Sequence, residues 1–168
     1  YDSRKIKEND VFCALIGAVT DGHNYIEKAV NSGAKMVIAE KKDITVADKD
    51  VTYIFVDNLR KHLGVIASNF FGWPQKKLKI IGITGTNGKT TSSYILDSML
   101  EKTARIGTIG YKILDEEIEA PNTTPESLDL VKMLDKSLKK GVEYFIMEVS
   151  SHALEIGRVD MLEFDSVM

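Results

Sequence analysis

The chain has 168 residues, with 22 Lys+Arg against 25 Asp+Glu, a net charge of −3 and 43% apolar residues. That balance suits a folded globular protein and excludes a disordered chain, a collagen and a polybasic nucleic-acid-binding tail. No apolar run reaches the ~18 residues that a membrane-spanning helix needs, and no signal-peptide pattern opens the chain. A cytoplasmic protein with neither a nucleic-acid nor a membrane partner is therefore expected. The single cysteine, Cys13, lies in the apolar run 11–15 and reads as a core residue rather than a nucleophile. The chain starts at Tyr1 without a methionine and stops inside a strand-like apolar segment, 164–168, so it reads as a fragment of a longer protein.

In chain order, residues 11–15 read as a buried strand. A turn at Asp21-Gly22 follows, then a helix over about 24–31 with Tyr25, Ile26, Ala29 and Val30 on one face. Gly33 ends that helix. Strands are expected at 36–39 and 51–56. Asp57 is placed to cap a helix that carries Leu59, Leu63, Ile66, Ala67 and Phe70 at helical spacing. Gly72-Trp73-Pro74 and the polar residues 75–77 break the pattern, which places a domain boundary there: 1–77, then 78–168. The second part opens with a buried strand, 78–83, and a glycine-rich loop. The next helix has Ser92, Ile95, Leu96 and Met99 on one face. Short strands are expected at 105–108 and 111–114. Thr124 should cap a helix with Pro125 at its first position and Leu128, Val131, Leu134 and Leu138 inward. Strands at 143–149 and 164–168 complete the order. Strands alternating with helices point to an α/β fold with a mostly parallel sheet.

The strongest chemical signal is the run Gly82-Ile83-Thr84-Gly85-Thr86-Asn87-Gly88-Lys89-Thr90-Thr91. A buried strand feeds a glycine loop that opens into a helix, whose first N–H groups favour an anion. Lys89 offers a mobile charge to β- and γ-phosphates, and Thr90 a hydroxyl for Mg²⁺. Asn87-Gly88 could instead turn a hairpin, but the residues after it have helical periodicity. Glycine would stand at Ile83 in the strict phosphate-loop pattern, so this is a variant with glycines at 82, 85 and 88. Ligands of open α/β sheets bind at the carboxyl ends of the strands. Glu148 falls at that end of an apolar, central strand, where it can reach a Mg²⁺ held by Thr90; the alternative is an ordinary surface glutamate. His152 reads as a hydrogen-bonded structural residue. Asn122-Thr123-Thr124 reads as a polar loop and helix cap that can also hold a polar substrate.

Taken together, Asp2-Ser3-Arg4, Asp21-Gly22, the loop 82–91, Gly107-Thr108-Ile109-Gly110, Ala120-Pro121-Asn122-Thr123-Thr124-Pro125-Glu126, Met147-Glu148-Val149-Ser150-Ser151-His152-Ala153-Leu154 and Gly157-Arg158-Val159-Asp160 resemble the Mur ligases, specifically the MurE type. The resemblance runs the length of the chain. It implies a small N-terminal α/β domain that binds a uridine nucleotide, followed by a truncated phosphate-loop α/β ATPase domain, with the C-terminal ligase domain absent. It also implies ATP and Mg²⁺ as cofactors and ATP-dependent addition of a third amino acid, diaminopimelate or lysine, to UDP-N-acetylmuramoyl-L-alanyl-D-glutamate in peptidoglycan synthesis. By resemblance, Ser3, Ala18, Val19 and Thr20 would contact the UDP part. Asn122, Thr123, Thr124, Ser150 and Arg158 would hold the muramoyl-dipeptide. Gly85, Thr86, Asn87, Gly88, Lys89, Thr90 and Thr91 would bind ATP, with Lys89 and Glu148 catalytic and Thr90 and Glu148 near the metal. Ile156 stands where some members carry a polar substrate contact. The family is usually monomeric, so a monomer is expected, and the fragment alone is expected to be inactive. Two other readings stay open: a non-catalytic nucleotide-binding module, and a phosphate-loop NTPase or another Mur-like ligase such as a folylpolyglutamate synthase.

Overall fold

The computed structural model describes residues 1–17, 20–42, 44 and 50–168, and the chain divides into two compact units, Tyr1–His62 and Leu63–Met168. In the first unit, β1 (Val11–Cys13), β2 (Met36–Ala39) and β3 (Thr52–Phe55) form a parallel three-stranded sheet. Parallel neighbours need a crossover, and α1 (Ile26–Asn31) supplies the first one. Its Ile26 and Ala29 pack with Phe12, Ala14, Val37 and Ala39 in one apolar cluster. Tyr25, expected on this inner face, is exposed because residues 22–25 form a 3₁₀ turn that shifts the angular register before α1 starts.

Helix α2 (Leu59–Phe71) begins with the side chain of Asn58, not Asp57, accepting the N–H of Lys61 at 3.0 Å. Its N–H at Leu59 donates to Glu40 at 2.7 Å. Leu63 and Ala67 are buried as expected, whereas Phe70 is 78% exposed and Phe71 packs inward in its place. The division between the two compact units falls within α2. The physical cause is local: Ser68 lies in the second unit's interior and accepts a hydrogen bond from buried Gln75, whose amide also reaches the carbonyl of Met161.

The second unit is built on a six-stranded sheet. Its strands are β4 (Lys79–Ile83), β5 (Thr103–Ile106), β6 (Tyr111–Ile113), β7 (Glu116–Ile118), β8 (Tyr144–Glu148) and β9 (Ser166–Val167), in the spatial order β7-β6-β5-β8-β4-β9. The four strands β5, β8, β4 and β9 run parallel to one another, and β6 and β7 add an antiparallel edge. Strand β7 was not expected, since Glu116, Glu117 and Glu119 mask its alternation. Leu114-Asp115 joins it to β6, with Leu114 in the left-handed region at φ 52°.

Helices α3 (Lys89–Met99), α4 (Ser127–Lys139) and the short α5 (Ser151–Glu155) complete the unit. Side chains alternate across a strand. Phe145 and Met147 of β8 join Leu130, Val131 and Leu134 of α4 in the main core, so Ile146 and Glu148 point to the other face, where α3 lies. Helix α3 does not bury the face that its apolar residues suggest. Ile95 and Met99 are 52% and 73% exposed, and Ser93, fully buried, marks the inner side. The sheet admits the small side chain of Ser93, whose hydroxyl donates back to the carbonyl of Thr90 at 2.8 Å.

Candidate nucleotide and metal site

Strand register brings three loops to one end of the sheet. Ile83 pairs with Glu148 and Ile106 with Met147. The glycine loop after β4, the residues after β5 and the end of β8 therefore emerge side by side, at the carboxyl ends where α/β ligands bind. Gly85 at φ 128° and Gly88 at φ 83° occupy conformations that side chains resist. The second of these directly precedes Lys89 and lets the chain enter α3. Lys89 places its ammonium 2.6 Å from the carbonyl of Gly85, folded across its own loop.

Glu148 is fully buried, so the surface-glutamate reading fails. Its Oε2 accepts from the hydroxyls of Thr90 at 3.0 Å and Thr108 at 3.1 Å, and its Oε1 takes the N–H of Thr108 at 3.3 Å. All three donors are neutral, and no ion pair to Glu148 occurs among the described residues. A buried carboxylate compensated only by neutral groups is costly, and a bound cation removes that cost. A hydroxyl and a carboxylate are both hard oxygen donors suited to Mg²⁺, which keeps several waters and takes few protein ligands. The pair Thr90 and Glu148 therefore fits Mg²⁺. Among the described residues no group of three or more His, Cys, Asp or Glu could hold a metal by itself.

The residues expected to hold a polar substrate lie beside this site, but three of them, Thr124, Ser150 and Arg158, spend their side chains within the fold. Thr124 is buried and does not cap α4, which starts at Ser127 after Glu126. Its hydroxyl donates to the carbonyl of Glu148 at 3.0 Å and accepts the N–H of Ser150 at 3.1 Å, riveting the loop to the end of β8. Ser150 caps α5 by accepting the N–H of Ala153 at 3.2 Å. Thr123 is half-buried, its hydroxyl 3.0 Å from that of Thr108, and the carbonyl of Asn122 accepts the hydroxyl of Tyr111. Arg158 spends its fork internally. Nε and Nη2 both donate to Oε1 of Glu126, at 3.1 and 2.6 Å, and Nη1 to the carbonyl of Thr124 at 3.0 Å. His152 is exposed, its ring 4.0 Å from the carboxylate of Glu155, contrary to the structural role expected of it.

In the first unit, Ser3 is buried in a 3₁₀ turn capped by Asp2, and Thr20 is exposed, its carbonyl accepting the N–H of Gly17 at 2.9 Å. Ala18 and Val19 lie outside the described residues. Cys13 is buried, which pushes its thiol pKa up and agrees with a core role. His23, to which the sequence alone gives no role, has one in the fold. Its buried ring accepts the N–H groups of Glu40 and Lys41 on Nε2, at 3.1 and 3.2 Å, so the ring proton sits on Nδ1 and is shared with Asp21 at 2.6 Å. Asp21 is held far below the usual carboxylate range, first by the ammonium of Lys41 and then by the N–H of His23. Asp-Gly-His in a turn was the available signal; which strand end it would pin was not in the pattern.

The Mur ligase middle-domain profile matches residues 83–168, the half of the chain that contains this site, and the profile of the Mur ligase family catalytic domain matches residues 1–71. The chain belongs to the Mur ligase family. It is 60% identical, over 98% of its length, to a Fusobacterium nucleatum protein named UDP-N-acetylmuramoyl-L-alanyl-D-glutamate–2,6-diaminopimelate ligase, and 49% identical to a protein of the same name from Clostridium tetani. It covers 34% and 35% of those proteins, so this Mur ligase chain spans about a third of the length of the relatives it matches. A solved structure of a ligase of that name superposes with a TM-score of 0.77 at 29% identity, over 99% of this chain and 34% of the other. MurF ligase from Thermotoga maritima, solved in complex with ADP, superposes at 0.61 with 27% identity, over 92% of this chain and 34% of the other. The α/β fold with a mostly parallel sheet agrees with these Mur ligase structures.

Proposed function

We propose that the protein containing these residues is an ATP-dependent amide-bond ligase that adds diaminopimelate to UDP-N-acetylmuramoyl-L-alanyl-D-glutamate. One observation carries the reading: Thr90, at the start of the helix that follows the glycine loop, donates its hydroxyl to the buried Glu148 across the sheet end. Likeness to relatives bearing that ligase name supports the choice of substrates, and diaminopimelate rather than lysine in particular.

A carboxylate resists attack by an amine because its leaving group would be oxide. ATP removes this obstacle by transferring its γ-phosphoryl group to the carboxylate, which gives an acyl phosphate and ADP; the amine then displaces phosphate to form the amide. Phosphoryl transfer depends on in-line positioning and neutralisation of charge. The N–H groups between Gly85 and Thr91 would cradle the phosphates, and Lys89 would leave the Gly85 carbonyl for their greater charge. Thr90 and Glu148 would hold Mg²⁺, which supplies charge neutralisation at the phosphate oxygens. Asn122 and Thr123 would meet the muramoyl-dipeptide. Thr124, Ser150 and Arg158 would shape that surface from behind, since their polar groups are engaged in the fold. Ser3 and the segment 18–20 would contact the UDP part in the first unit. The reaction is that of a cytoplasmic protein, acting as a monomer.

Lys89→Ala in the intact protein tests this. Ligation of diaminopimelate to the UDP-muramoyl-dipeptide should fall on the order of 10²–10³-fold, as when one charge-stabilising donor is removed from a transition state. ATP turnover that ignores the muramoyl substrate would point instead to a plain NTPase and overturn the ligase reading.

A further inference from the structure

Two of the three donors on the Glu148 carboxylate come from a residue outside every binding role assigned above. Thr108, in the loop after β5, commits two donors to this one carboxylate, its backbone N–H to Oε1 and its hydroxyl to Oε2. The same hydroxyl also meets that of Thr123 at 3.0 Å. Counting protons orients this contact. A threonine hydroxyl carries one proton, and an ionised carboxylate can only accept. The proton of Thr108 goes to Glu148, so Thr108 must accept from Thr123. The proton of Thr90 goes to Oε2 as well, which leaves the lone pairs of its oxygen to face a cation. The donors thus run from Thr123 through Thr108 to Glu148, with Thr90 arriving from the other side.

We propose that Thr108 is the positioning residue of the metal site and that it couples the Asn122-Thr123-Thr124 loop to that site. The inference rests on the reading of Thr90 and Glu148 given above. Sheet register builds the arrangement: because Ile106 pairs with Met147, residues 107 and 108 emerge directly beside Glu148. A glutamate side chain has three torsions, so the aim of its carboxylate must be imposed from outside. Two donors from one residue, one on each oxygen, impose it. Groups that orient a metal-binding side chain in this way typically matter 10–100-fold for metal affinity. Thr123 in turn fixes which way the Thr108 hydroxyl points, so a change at the substrate loop reaches the carboxylate through a single oxygen.

The test measures binding of Mg²⁺ with ADP to the intact protein by calorimetry, with folding checked by circular dichroism and thermal midpoint. Thr108→Val keeps the shape and removes the hydroxyl; it should weaken Mg²⁺-dependent ADP binding by roughly 10-fold to 100-fold. Thr108→Ser should restore it to within about threefold, since the donor returns. Thr123→Val should weaken binding in the native background and add nothing in a Thr108→Val background, because its effect passes through Thr108. Unchanged affinity in folded Thr108→Val, failure of Thr108→Ser to rescue, or additive effects of the two valine variants would each overturn the proposal. Glu148→Gln separates the levels. If it weakens Mg²⁺-dependent binding while Thr108→Val does not, the positioning role alone fails; if it also leaves binding unchanged, the metal reading beneath it fails too.

Discussion

A Cβ atom at Gly107 would stand 2.1 Å from Oε1 of Glu148, far inside any tolerated contact. The absence of a side chain at that position is what lets the carboxylate lie against the loop after β5 and reach Thr90 and Thr108 together. Gly107→Ala should turn the carboxylate away from both. We expect Mg²⁺-dependent nucleotide binding to weaken at least about tenfold and stability to drop by roughly 1–3 kcal/mol from overpacking. Calorimetry and urea unfolding on the same preparation would check the two effects. Native affinity in a folded alanine variant would show that Glu148 has another way to aim.

Thr124 supplies a second expectation, this time about the scaffold. Its hydroxyl bridges the carbonyl of Glu148 and the N–H of Ser150 at a position 1% exposed to solvent. Valine has the same shape and leaves two backbone groups unpaired in the interior. Thr124→Val should therefore cost about 2–4 kcal/mol in urea unfolding, and Thr124→Ser much less. Equal stability of valine and native protein would mean that the loop is not riveted through this oxygen.

The core makes a simpler demand. Leu134 of α4 is fully buried, while Leu138, one turn further on, is only partly so. Leu134→Ala should lose about 2–5 kcal/mol, by lost transfer energy plus the cavity left behind. Leu138→Ala should lose clearly less. Reversal of that order in denaturant midpoints would contradict the packing described.

A pH dependence follows from the surface of the same helix. Lys136 and Lys140 pair with Glu116 of β7, and their hydrogen bonds hold its carboxyl at about 2, below the ordinary 4.5. A carboxyl depressed in the folded state stabilises fully above its unfolded value and loses that contribution as pH falls toward the folded one. The difference in urea midpoint between native protein and Glu116→Gln should thus be constant above about pH 5, shrink between about pH 4.5 and 2, and vanish below. The group is exposed, so the whole difference should be small and should shrink further with added salt. A difference that persists below pH 2 would exclude the ion pairs as its source.

The order of helices and strands was legible because burial on a strand or helix face imposes periods that local residues must obey. Residues 78–83 and 143–149 announced β4 and β8 by continuous apolar character, as central strands do. Where the reading failed, another force had taken precedence. Acidic residues hid β7, which sits at the sheet edge and faces water. Apolar Ile95 and Met99 suggested the wrong face of α3, because the side turned to the sheet carries Ser93 and Asp97, whose carboxylate meets Thr103 and Lys112. Thr124 had the composition of a helix cap, but a buried carbonyl and N–H competed for its hydroxyl and won. Arg158 offered an anion-binding fork in sequence that Glu126 occupies in the fold.

By itself the sequence determined the glycine loop that enters α3, since glycines, lysine and threonine at fixed spacing act within one turn of chain and need no distant partner. It also determined that a carboxylate would stand at a strand end. Only the tertiary structure decided what that carboxylate meets. Glu148 finds Thr90, Thr108 and the empty side of Gly107 because parallel pairing brings residues 83, 107 and 148 to one end of the sheet. Contacts between residues tens of positions apart depend on strand order and register, which no local period encodes.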